Sequence, residues 1–267
     1  MTLYNQELPI ALRAAREAGQ AILQIYQRGN VQSTLKEDRS PLTEADLASN
    51  ALIAEHIRKA FPLDAFLSEE SIDDPSRLGK DRCWVVDPLD GTKEFLKGNG
   101  EFTVNIALAL KGEPMLGVVL LPVTGECYYA ARGEGAFLEH HGAVTPLATS
   151  SRTEALRIMT SRSHPSEKLQ AFLKRHAPKL GEVIPAGSSL KGCLIAEGRA
   201  ELYYRFGPTM EWDTAAMHCI VEEAGGYVRQ MDGSPLQYNR RNSRNEKGFY
   251  MINRQENYLD LSEEEEA

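Results

Sequence analysis

Apolar residues recur at helical spacing over residues 8–26 (Ile10, Ala14, Ala18, Ile22, Ile25) and again over 43–61, where Thr43 stands as a cap ahead of the periodic run. The pattern then changes period. Alternating or wholly apolar runs occupy 83–86, 103–110, 116–121 and 126–131, parted by Gly and Pro, and predict an antiparallel meander after two helices. Over 148–153 the chain turns small and polar (ATSSRT). Beyond it strand-like and helix-like segments alternate at 157–160, 166–176, 188–197, 200–204 and 213–224. This order predicts two halves, an α+β half over 1–150 and an α/β half over 151–267, with no internal repeat. The acidic end SEEEEA reads as a solvated tail.

Composition narrows the class. A chain of 267 residues with 42% hydrophobic and 25% charged content can bury a substantial core and has the make-up of an ordinary globular protein. Its net charge of −8 speaks against binding a nucleic-acid polymer, which needs Lys and Arg on the phosphates, but leaves room for a small phosphorylated ligand if cations lie between. Cys83, Cys127, Cys193 and Cys219 are far apart and form no CxxC pair, so they read as buried reduced thiols rather than a disulfide framework or zinc knuckle. The opening MTLYNQELPI has no basic and apolar leader, and no apolar run approaches the ~18 residues of a membrane span. The expectation is a cytoplasmic protein without a transmembrane segment; peripheral contact with the inner membrane and the oligomeric state are left open.

In WVVDPLDGTKEF, residues 84–95, Asp87 and Asp90 stand three apart at the end of an apolar run. A tight turn accounts for Pro88 and for Asp90-Gly91. The same stretch suits chemistry: two carboxylates and an intervening carbonyl are hard oxygen donors of the kind Mg²⁺ takes, and a carboxylate shared by two ions holds them ~3.5 to 4 Å apart. A cation would turn the repulsion between the two acids into attraction. Gly91 and Thr92 open a short helix whose free N–H groups suit a phosphate. Two further acidic segments have simple structural explanations as helix starts: SEES at 68–71, with Glu69 and Glu70 behind a capping Ser68, and EWDTAA at 211–216, with Asp213 as the cap. Asp46, in TEAD at 43–46, is by itself a carboxylate on a helix face.

Together SEES, DPLDGT and WDTAA, in this order and at these spacings, resemble the lithium-sensitive, Mg²⁺-dependent phosphomonoesterases of the inositol monophosphatase superfamily, over nearly the whole chain from Asp46 to Gly226. The stretches DGTKEF, GEFTVNIAL, TSRSH, GSSLKGCLIAEG and LYYRFGPTMEWDTAA are more similar to its 3'(2'),5'-bisphosphate nucleotidases, the bacterial CysQ group. Two positions depart from that group: Tyr204 replaces a Pro and Gly192 a Phe.

The resemblance implies an α+β / α/β fold, the layered αβαβα sandwich shared with fructose-1,6-bisphosphatase. It implies a hydrolase of nucleotide metabolism in sulfur assimilation. Such an enzyme removes the 3'-phosphate of adenosine 3',5'-bisphosphate (PAP) by in-line attack of a metal-activated water, giving AMP and phosphate. Inositol monophosphate or a sugar bisphosphate is the alternative substrate, and a catalytically silent binding protein the remote alternative. By the same resemblance Glu69, Asp87 and the Leu89 carbonyl hold one Mg²⁺, and Asp87, Asp90 and Asp213 a second, with a third, water-held ion near Glu69. Asp46, Thr92 and Glu69 are the implied catalytic residues. The reacting phosphate lies on the Gly91 and Thr92 amides among Glu69, Leu89, Asp90 and Asp213. His164, Ser188, Lys191 and Arg205 serve the ribose and the second phosphate, for which Arg offers a bidentate fork.

Overall fold

The structure, a computed structural model, describes residues 4–29, 33–36, 41–163 and 166–261. The first helix, α1 (Glu7–Arg28), buries Ala11, Ala14, Ala15, Ala18, Ile22 and Ile25, a narrow stripe of mostly small residues. A two-stranded pair, β1 (Ser33–Leu35) with β2 (Pro41–Thr43), leads into α2 (Glu44–Ala60), which packs against α1. The start of α2 is a capping box: Thr43 Oγ1 accepts the Ala45 N–H at 3.2 Å, and Asp46 Oδ2 accepts the Thr43 N–H at 2.8 Å.

A seven-stranded sheet follows in sequence order: β3 (Ala65–Ser68), β4 (Arg82–Asp90), β5 (Thr103–Leu110), β6 (Glu113–Leu120), β7 (Cys127–Ala131), β8 (Gly135–His140) and β9 (Ala143–Pro146). It is the expected antiparallel meander, except that β3 runs parallel to β4. The short helix α3 (Thr92–Lys97) leaves the end of β4. Strands β3, β8 and β9 escape the sequence pattern because β3 has four residues and the β8–β9 hairpin lies at the sheet edge with partly or fully exposed side chains.

The second sheet has the order β11-β10-β12-β16-β14 and is mixed. It comprises β10 (Leu156–Ser161), β11 (Leu180–Ala186), β12 (Leu202–Arg205), β14 (Tyr227–Gln230) and β16 (Phe249–Ile252). The intervening elements are α4 (Glu167–His176), α5 (Leu190–Ala196), β13 (Thr209–Met210), α6 (Glu211–Glu223) and β15 (Arg244–Asn245), with β13 paired to β15.

Side-chain alternation along β4 sets the layers. Trp84 and Val86 point to α1 and α2, while Cys83 and Val85 point the other way, to the core shared with α5, α6 and the second sheet. The far face of the second sheet, with Leu156, Ile158, Leu202 and Tyr204, packs on Leu169 and Phe172 of α4. Helix pair, sheet, helix pair, sheet and helix thus form the expected αβαβα sandwich. Gly117 on β6 permits the tight central contact, since a Cβ there would lie 2.3 Å from the Ala216 carbonyl oxygen of α6.

Candidate active site

In a regular strand, residues three apart face opposite sides, so Asp87 and Asp90 should diverge. They do not, because Pro88 has no N–H for the ladder and the strand bulges. Asp87 pairs with Asn105 and Asp90 with Thr103, so three steps on β4 match two on β5, and both carboxylates emerge on the α5/α6 side of the sheet. The Leu89 side chain turns into the helix layer instead, and Ser49 of α2 holds the Pro88 carbonyl at 2.7 Å. Gly91 then takes φ 97°, a left-handed turn that sends the chain into α3.

Glu69, Asp87, Leu89, Asp90, Gly91, Thr92 and Asp213 line one cavity together with Ser188, Lys191 and Arg205. Asp46 lies behind Thr92, whose hydroxyl donates to Asp46 Oδ1 at 3.2 Å. The structure therefore gathers all the residues singled out from the sequence except His164, which lies outside the described residues. Two local expectations change. Ser68 caps no helix; it ends β3 and donates to Asn50 Oδ1 at 2.7 Å, so Glu69 and Glu70 follow a strand. Asp213 sits one turn inside α6 rather than at its cap, and its Oδ2 accepts the Met210 N–H at 2.8 Å.

Crowding and burial dominate the electrostatics. Asp87 is 2% exposed, and burial followed by the charges of Glu69, Asp90 and Asp213 pushes its carboxyl well above the usual range. Burial likewise raises Glu69 and Asp90, and with the Asp90 charge it pushes Asp213 up to about 8. Lys36 donates to Glu69 Oε1 at 2.6 Å and also to Glu70. Burial works against the Lys36 charge, but Glu69 and Glu70 outweigh it and hold the ammonium above the ordinary lysine range.

One oxygen of each central acid is already tied: Asp87 Oδ1 by the Leu89 N–H at 3.1 Å, Asp90 Oδ2 by Ser189, and Asp213 Oδ2 by Met210. Among the described residues no three acidic, His or Cys side chains are drawn closely enough to hold an ion as they stand. The donor set nonetheless fits a hard cation: all its atoms are oxygens, and burial penalises their charge unless positive charge is supplied.

The inositol monophosphatase family profile matches residues 4–261. The chain belongs to the inositol monophosphatase family. A relative named 3'(2'),5'-bisphosphate nucleotidase CysQ, from Salmonella typhimurium, is 46% identical over 88% of this chain and 95% of its own length. The crystal structure of CysQ from Bacteroides thetaiotaomicron superposes with a TM-score of 0.83 at 38% identity, covering 95% of this chain and 100% of that one. The inositol monophosphatase of Thermotoga maritima gives 0.78 at 28% identity, over 92% of this chain and 91% of that one. Members of this family are generally Mg²⁺-dependent. Among the described residues no helix is long and apolar enough to cross a membrane.

Against this family background the two departures are structural. Tyr204 faces away from the acids, stacks between Phe172 and Tyr250, and its hydroxyl accepts the Leu259 N–H at 2.8 Å. At Gly192 even a Cβ would lie 2.8 Å from Met217, so α5 and α6 meet there without a side chain between them. Sequence reasoning missed Asn105, Ser189 and Lys36. Asn105 had a signal, a polar residue inside the buried run TVNIALAL.

Proposed function

We propose that the chain is a Mg²⁺-dependent 3'(2'),5'-bisphosphate nucleotidase that converts PAP to AMP and phosphate in the cytoplasm, with residues 1–150 supplying most of the acids and residues 151–267 selecting the substrate. The observation that carries this reading is that acids and basic side chains share one cavity. The cavity that holds the acids also holds Lys191, 5% exposed, and two buried polar atoms without partners among the described residues, Ser188 Oγ and Arg205 Nε. Buried groups of that kind are normally satisfied, so they point to a ligand that brings acceptors. A substrate with two phosphates supplies one for the acids and their cations and one for these donors. The names of the CysQ relatives agree with this assignment.

Glu69, Asp87 and the Leu89 carbonyl would hold one Mg²⁺, and Asp87, Asp90 and Asp213 another, with a third, weakly held ion near Glu69. Bound there, Mg²⁺ lowers the pKa of water and neutralises charge developing on the leaving oxygen. The protein's own residues do the rest. The Thr92 hydroxyl donates to Asp46, so its lone pairs remain to accept a hydrogen bond from the attacking water. Burial raises the Asp46 carboxyl against the hydrogen bonds from Thr43 and Thr92, making it a stronger proton acceptor than a surface Asp. The first amides of α3, aimed by the Gly91 turn, orient the reacting phosphate. Lys191 and Arg205 bind the second phosphate and Ser188 serves the ribose, a role shared by His164, which lies outside the described residues.

Phosphate release from PAP and from inositol 1-phosphate, with and without Mg²⁺, tests the reading. The expected result is Mg²⁺-dependent turnover with PAP strongly preferred. Preference for inositol 1-phosphate would overturn the substrate assignment, and equal turnover in EDTA would overturn the metal assignment.

A further inference from the structure

Two fully buried side chains to which no role has been assigned join the acids of the two halves. Ser189, 1% exposed, follows β11 and precedes α5; its Oγ lies 2.9 Å from Asp90 Oδ2 and 2.9 Å from the Asp213 carbonyl oxygen. Asn105, also 1% exposed, reaches from β5, where its Nδ2 is 2.9 Å from Ser189 Oγ and 3.3 Å from Asp90 Oδ2. A hydroxyl has one proton. Asn105 therefore donates to Ser189, and the Ser189 hydroxyl donates its one hydrogen bond to the Asp90 carboxylate or to the Asp213 carbonyl.

The consequence is geometric. Oδ2 of Asp90 is committed to these donors, and the Asp90 loop is tied to the first turn of α6. An Asp in place of Asn105 would put another carboxylate in the cluster, whereas the amide donates twice without adding charge. Neither side chain lines the cavity.

We propose that Asn105 and Ser189 are positioning residues that set the orientation of Asp90 and its spacing from Asp213, and so govern affinity for the divalent cation. This inference rests on the acids being the metal site proposed above. Losing an outer partner of a metal ligand typically weakens metal binding ~10- to 100-fold.

The test uses the full chain and Mn²⁺ binding followed by electron paramagnetic resonance, without substrate, alongside kcat, KM and the Mg²⁺ half-saturation concentration with PAP. Ser189→Ala removes only an oxygen and leaves the backbone path intact. It should weaken Mn²⁺ binding and raise Mg²⁺ half-saturation by roughly tenfold or more, with KM at saturating Mg²⁺ within about twofold. Asn105→Ala should act in the same direction. Because Asn105 works partly through the Ser189 hydroxyl, the double variant should lose less than the product of the two single effects. If Ser189→Ala lowers thermal stability but leaves Mn²⁺ affinity within twofold of the parent, the pair is merely structural and the inference fails. If the parent binds no Mn²⁺, the metal assignment itself fails, whatever the variants do.

Discussion

Arg205→Ala separates substrate selection from chemistry. Arg205 ends β12 in the cavity that holds the acids, and among the described residues its Nε has no partner. If it donates to the second phosphate, losing one charge-assisted hydrogen bond costs about 1.5 to 3 kcal/mol, which is roughly ten- to a hundredfold in affinity. KM for PAP should rise by that factor at pH 7 while kcat changes much less, the mark of binding shared by ground and transition states. Hydrolysis of inositol 1-phosphate, which lacks the second phosphate, should barely respond.

The same variant has a pH signature. Burial and the Arg205 charge push Lys191 down to about 8, against the pull of Asp90. A cation on Asp90 would weaken that pull and lower the midpoint further. In the parent enzyme KM for PAP should therefore climb above about pH 8, approaching tenfold per unit as Lys191 loses its proton. In Arg205→Ala the climb should start at higher pH, because a neighbouring positive charge is gone. Steady-state kinetics for both substrates from pH 6.5 to 9, at saturating Mg²⁺, provides the measurement. Equal slowing of PAP and inositol 1-phosphate would place Arg205 in the catalytic centre or the fold and refute the reasoning.

Three other outcomes follow from the site and its support. Asp87→Asn keeps an acceptor for the Leu89 N–H but removes the central charge, so turnover should nearly vanish while the metal-free melting temperature rises; near-normal rates at saturating Mg²⁺ would contradict the shared-ligand role. Asp213 is raised from 3.8 to about 8, so the folded state binds its proton more tightly than the unfolded chain. That contribution to stability is complete below about pH 4 and is lost as pH rises through 8. Calorimetry in EDTA should accordingly show the melting temperature falling between pH 5 and 8, with added Mg²⁺ restoring it most at the upper end; a flat profile would count against the buried acid cluster. Gly117→Ala drives a methyl to 2.3 Å from the Ala216 carbonyl oxygen, an overpacking worth roughly 1 to 3 kcal/mol, and because the displaced helix carries Asp213 both denaturant midpoint and kcat should drop.

The sequence by itself determined whatever depends on neighbours along the chain. Periodic apolar residues specified α1 and α2, because one buried face of a helix must recur every three to four positions. The Thr43 cap fixed where α2 begins, and the run ahead of Asp87 fixed the strand that delivers it. The acids were legible because DPLDGT, SEES and WDTAA are each short and contiguous. The roles of Ser68 and Asp213 as helix caps were misread, since an acidic first turn, a strand end and a capping box look alike from composition alone.

Tertiary structure decided the rest. The bulge at Pro88, which turns Asp87 and Asp90 to one side, depends on the register with β5. The bond from Ser189 to Asp90 joins residues 99 apart, and that from Asn105 to Ser189 joins residues 84 apart, so no local pattern announces either. Tyr204 and Gly192, which depart from the sequence pattern of the group, serve the far face of the second sheet and the contact between α5 and α6. Chain periodicity records only that a face is buried; which groups meet there is set by how layers stack, and in this protein the stacking brings four mutually repelling acids to one cavity with a buried lysine.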